Sequence, residues 1–149
     1  MIISHTVAII LASLVLLLGS ARAAEVEVQN GGFETGLSQP WGTGQYSEGH
    51  PIWWTSGSCQ SSAGADRAVR KSGNLSLHII NRSPRAPNVF GSTQQPVRIV
   101  PNQRYRIIMW ARARGLTSDG AVEIVVDRDW KVRPIRLPKG DYDWTRFTG

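Results

Sequence analysis

One cysteine, Cys59, stands among 149 residues. A lone thiol closes no internal disulfide, so a domain of this length must rest on its hydrophobic core. Cys59 itself reads as a small packing residue, and no lipobox precedes it. Histidine is nearly as scarce, at three residues, and no His/Cys pair stands at metal-ligand spacing. No serine sits in a nucleophile-elbow context. Asp127 and Asp129 in "DRDW" lie two apart and point the same way on a strand. Glycosidase carboxylates flank a bond from opposite sides, so this pair reads as a turn. These absences argue against catalysis. Lysine is the next shortage, three against fourteen arginines, in a chain of net charge +6. The cations are scattered singly along strands and turns. That pattern argues against nucleic acid and leaves acidic polysaccharide or plain solubility as its meaning. Helical periodicity, internal repeats and low-complexity tracts are absent as well.

The one long apolar run is N-terminal. Thr6 to Leu18 is almost unbroken, and Ala21-Arg22-Ala23 follows it. This reads as a secretory signal peptide, residues 1–23, cut after Ala23. The run is too short to span a bilayer comfortably. Met1 to His5 carries no Lys or Arg, which keeps an uncleaved anchor as the competing reading. The mature domain is then residues 24–149, secreted or periplasmic, with no membrane attachment after cleavage.

Short alternating runs recur between turn signals in that domain. Val26 and Val28 alternate with Glu25 and Glu27. Leu75, Leu77 and Ile79 alternate with Ser76, His78 and Ile80. Val97 and Ile99 precede the turn "PNQ". Val122, Ile124 and Val126 follow the turn "SDG". Such spacing predicts an all-β fold, an antiparallel β-sandwich. Pro134 makes its segment an edge strand or a bulge. Residues 36–74 are rich in Gly and Ser and hold three of the six tryptophans. They read as long ordered loops around a short strand, Ile52 to Thr55. Trp41, Trp53 and Tyr46 are the rim contacts such loops would offer. The alternative for Trp41, Trp53 and Trp54 is that they cap the open edges of the core.

The segment "YRIIMWARARG", residues 105–115, raises the functional question. At period two, Tyr105, Ile107, Met109 and Ala111 share one side. Arg106, Ile108, Trp110 and Arg112 share the other, where an indole sits between two guanidiniums. A sugar ring has an apolar C–H face and a hydroxyl rim, and an indole with flanking guanidiniums matches both. Trp110, Arg106 and Arg112 are therefore the candidate binding face. His78, on the polar side of its own strand, is the candidate neighbour. The opposing reading buries Trp110 under a loop and leaves the arginines as surface charge.

Four motifs in order, "VQNGGFETG", "SGNLSLHI", "QQPVRIVPNQRYRIIMWARARG" and "DYDWTRFTG", resemble the carbohydrate-binding modules of families 4, 9 and 22, galactose-binding-like jelly rolls attached to xylanases and related glycoside hydrolases. The resemblance covers Val28 to Gly149. It implies a jelly-roll sandwich with a concave sheet, and non-catalytic binding of polysaccharide as an accessory to a fused or companion glycoside hydrolase. It also implies a structural calcium at the Gly32 carbonyl, the Glu34 carboxylate and a carbonyl near Lys71. The family pattern runs on beyond "WTRFTG", so the module is read as lacking its last strands. The alternatives are an envelope or interaction domain of the same fold without a glycan site, and the N-terminal fragment of a larger glycoside hydrolase.

Overall fold

The computed structural model describes residues 5–16, 25–42, 51–127 and 129–149. Every regular element among them is a strand, and all pairings are antiparallel. In chain order these are β1 His5–Leu16, β2 Glu25–Val26, β3 Trp54–Ser56, β4 Ser61–Asp66, β5 Ser76–Asn81, β6 Phe90–Ser92, β7 Tyr105–Leu116, β8 Glu123–Ile124, β9 Ile135–Arg136 and β10 Gly140–Thr148. The main sheet runs β10-β7-β1-β5-β4, with β2 attached beside β1; β3–β6 and β8–β9 are separate two-stranded sheets.

The all-β expectation therefore holds, and the antiparallel pairing with it. One placement differs from the sequence reading. The run read as a leader becomes β1, in the middle of the main sheet of the intact chain. It pairs with β7 at ten positions, from Thr6↔Arg114 to Leu16↔Tyr105, with one irregularity between Ala12 and Leu14. On its other side it pairs with β5 from His5↔Asn81 to Ile9↔Leu77. A dense Val/Ile/Leu/Thr composition suits a strand bonded on both sides. The same composition makes a leader's apolar core, so hydropathy does not separate the two uses.

Alternation in β7 falls as its sequence predicts. Met109, Ala111 and Ala113 are fully buried. The two alanines leave space for β9 and the residue after it, and Ile135 and Leu137 close on them with Leu116 in a single cluster. Val122, Ile124, Tyr142 and Phe147 pack around its edge. A second cluster forms on the same side of β5: Leu77 with Val28, Phe33 and Trp41, edged by Ile52, Ala63 and Val97. The Phe33 and Trp41 rings stack at 5.1 Å. At ~25 cal/mol per Å² their ~150–250 Å² apiece stabilises the fold by roughly 4–6 kcal/mol per ring, as an upper bound. The core thus lies on one side of the main sheet.

Two strand expectations miss. No strand forms over Val97 and Ile99, and Ile99 is 59 % exposed. Conversely "SSAGAD", inside the stretch read as loop, is β4, in register with β5 at six positions. Its small residues give no β-propensity signal; pairing to β5 makes it a strand. Gly91 in β6 has a clear physical reason: a Cβ there would lie 2.5 Å from the Trp53 ring, so only glycine admits that approach.

Candidate functional site

The side of β7 that faces away from both core clusters carries Arg106, Ile108, Trp110 and Arg112. Trp110 is half-buried, Arg106 exposed and Arg112 half-buried. At ~3.3 Å per residue, Arg112 lies about 7 Å along the strand from Trp110 and Arg106 about 13 Å the other way. Register extends this face sideways. Arg146 of β10 is the direct cross-strand partner of Trp110. Arg112 pairs with Ala8, Ala8 with His78, and His78 with Gly64, so these four form one row across four strands. Directly paired residues point to the same side of a sheet. His78 therefore shares the face of Trp110, as expected.

Lys71 completes the site. Its Nζ lies 4.4 Å from the centroid of the Trp110 ring. An ammonium over an indole is held by the ring quadrupole, at about 0.5–1 kcal/mol where exposed. Arg112 Nε is 3.6 Å from Asp143 Oδ1, a carboxylate whose side chain is 78 % exposed. His78 Nδ1 lies 3.7 Å from Asp66 Oδ2, and His78 Nε2 is buried without a hydrogen-bond partner among the described residues. His78 is thus a wall of the site, with no ring nitrogen left pointing outward to a ligand.

The remaining expected contacts do not join this face. Trp41 is 7 % exposed, stacks on Phe33 and donates its Nε1–H to the Asn30 carbonyl at 3.0 Å. It is a core residue, and the rim role expected for it is corrected. Trp53 donates Nε1–H to Ser61 Oγ at 3.2 Å. Ser61 alternates with Ser62 and Gly64 and so shares the side of Ala63, which packs in the second core cluster. Trp53 therefore lies on the side opposite Trp110 and does not join this face. Trp54 belongs to another aromatic row, with Phe90 at 5.5 Å and Phe90 with Trp130 at 5.1 Å. Tyr46 lies outside the described residues.

No protein-family model, curated protein or solved structure matches the chain.

The calcium expectation meets its own chemistry at Glu34. One oxygen of this exposed carboxylate accepts the Asn74 amide at 2.8 Å and the other the Leu75 amide at 3.4 Å. The Asn74 amide is the main reason its pKa lies below 4.5. Gly73, at φ +63°, is the residue that lets the chain pass so close, because a Cβ there would run into the Glu34 carboxylate. The Gly32 carbonyl, the Glu34 carboxylate and a carbonyl near Lys71 supply about four oxygens at most, against the 6–8 that calcium takes. No group of three His, Cys, Asp or Glu gathers among the described residues. This donor set does not fit a calcium site. Glu34 instead ties the first loop of the domain to the start of β5.

A pH dependence follows. A carboxylate with a lowered folded pKa adds stability above its unfolded value of 4.5. That contribution fades as pH falls through the lower, folded value. Glu34→Gln is expected to lower the melting temperature at pH 7. The gap to the parent should narrow steadily below pH 4.5, as followed by circular dichroism. Millimolar calcium is expected to move neither protein.

"DRDW" is the turn that its spacing suggests. Asp127 accepts the amides of Lys131 at 3.2 Å and Val132 at 2.9 Å, while Lys131 Nζ holds Asp129 at 3.0 Å. Lys71 and Arg146 are the site residues that sequence reasoning missed. Arg146 was legible as a polar position in "DYDWTRFTG", but its pairing to Trp110 needed the sheet order. No local signal places Lys71 on an indole thirty-nine positions away.

Proposed function

We propose that this chain is a secreted, non-catalytic binding module of jelly-roll sandwich type that lays a polysaccharide across the outer side of its main sheet, with Trp110 as the stacking platform. The observation that carries the reading is the position of Trp110. It stands half-exposed on the side of the sheet away from both hydrophobic clusters, with Arg112 and Arg146 beside it. Guanidiniums donate hydrogen bonds in fixed directions and suit hydroxyl rims as well as acids. The motif resemblance supports the same reading, and on it the module serves a fused or companion glycoside hydrolase.

A pyranose covering half of a Trp's ~200 Å² gains roughly 2–3 kcal/mol at ~25 cal/mol per Å². That exceeds the ~0.5–1 kcal/mol of an exposed cation–π contact, so stacking can displace Lys71 from the ring. A single platform gives only millimolar-range binding, and the arginines must supply the rest.

Affinity electrophoresis tests the reading. The protein is run in gels cast with xylan, β-glucan, soluble cellulose derivatives, pectin and alginate, beside a non-binding reference protein. Retardation in at least one polymer is expected. Free migration in all of them rejects polysaccharide binding.

A further inference from the structure

We infer that the Trp110 face is selective for acidic polysaccharide, taking carboxylate-bearing sugar units with Lys71 and Arg146 as the groups that meet the carboxylate. The inference rests on the reading of this face as a glycan site and names the class of glycan.

The argument starts from Lys71. Its ammonium occupies the ring face on which a sugar would stack. A neutral pyranose must displace it and offers no charge in exchange. A uronate displaces it by a short swing and then accepts it as an ion-pair partner, so the cation that hinders one ligand helps the other. Arg146, paired directly with Trp110 across the strands, adds a second cation on the opposite flank from β1, and no acidic partner of Arg146 is found among the described residues. Arg112 follows two positions along β7. Its counter-ion Asp143 is held at 3.6 Å and largely exposed, a loose pair that a ligand carboxylate can replace. Among the described residues a second acid of this face, Asp66, is turned to His78 and to the amides of Ala68 and Val69. Three cations thus flank one indole, and among the described residues no carboxylate is tightly bound to any of them. A guanidinium pairs with a carboxylate through directed, charge-assisted hydrogen bonds, so the face reads carboxyl groups by geometry as well as by charge.

The test compares one backbone with and without its charge. Dissociation constants are measured by affinity electrophoresis for polygalacturonate and for its fully methyl-esterified form, and for alginate, in 0.05 M and 0.5 M sodium chloride. Dextran sulfate serves as an anionic polymer without uronate. At low salt the expected preference for polygalacturonate or alginate over the ester is about tenfold or more, shrinking at 0.5 M as screening shortens to a few ångströms. Lys71→Gln should strengthen binding to the ester, since no cation is left to displace from the ring, and weaken binding to the acid. Arg146→Gln should weaken the acid several-fold more than the ester, so that each variant removes several-fold of the preference. Trp110→Ala should weaken both forms. Equal binding of acid and ester overturns the acidic selectivity and leaves the glycan reading standing. Dextran sulfate binding as tightly as the uronates, with Trp110→Ala without effect, shows charge attraction alone and overturns both. So does failure to bind any polymer.

Discussion

Trp110→Ala is expected to weaken polysaccharide binding by about thirty- to a hundred-and-fifty-fold, the ratio that ~2–3 kcal/mol represents. The whole of the stacking area goes with the indole. Neither Arg112 nor Arg146 offers a flat apolar surface to replace it. Trp110→Phe keeps a smaller platform and should lose about tenfold or less. The control is stability. Trp110 is half-buried on the outer side of β7, whereas its neighbour Met109 is fully buried beneath. Truncating Trp110 should therefore move the melting temperature much less than Met109→Ala, for which ~2–5 kcal/mol is the usual cost. Isothermal titration beside thermal unfolding separates the two effects. Unchanged affinity in a stable Trp110→Ala protein would move the binding site to another surface.

A chain begun at Ala24 is expected to lose cooperative folding, or to melt more than 10 °C lower than the intact chain. The reason is arithmetic. The ten positions paired to β7 and five paired to β5 go together. At ~1 kcal/mol net per ladder hydrogen bond, their loss matches the whole ~5–15 kcal/mol that holds a domain of this size. It also opens β7 and β5 as bare edges beside a core containing Met109, Ala111 and Leu77. Dye binding to exposed apolar surface should rise, and a synthetic peptide of residues 5–16 added in trans should reverse the change. A cooperative transition at the same temperature in the shortened chain would show that the sheet closes without β1.

The sequence carried much of this in its alternation. The two sides of β7 were legible because small and apolar residues, Met109, Ala111 and Ala113, recur at period two opposite arginines. Ser76–Asn81 was legible for the same reason. Where the pattern carried no information, the reading failed in a physical way. Small residues such as Ser62 and Gly64 have no strand preference of their own, so β4 exists only through β5. The tryptophans of the loops showed the opposite limit. Trp41 and Trp53 look like binding aromatics by composition, yet one finds Phe33 and the other Gly91, because large rings also close gaps that short strands leave. A single chain pattern ranks residues by exposure along a strand, but cross-strand neighbours such as Arg146 and Trp110 belong to topology.

The breadth of the outer surface depends on what becomes of the first twenty-three residues. Arg112 and His78 are separated by one intervening strand, about 9–10 Å at the usual inter-strand spacing. A peptidase that excises the intervening segment takes Ala8 with it, and if the halves then zip together the interval shrinks to ~5 Å, less than one pyranose wide. Where a shortened chain refolds in that way, it offers a polymer a narrower footprint than the intact chain, and the sugar each of them prefers should differ accordingly.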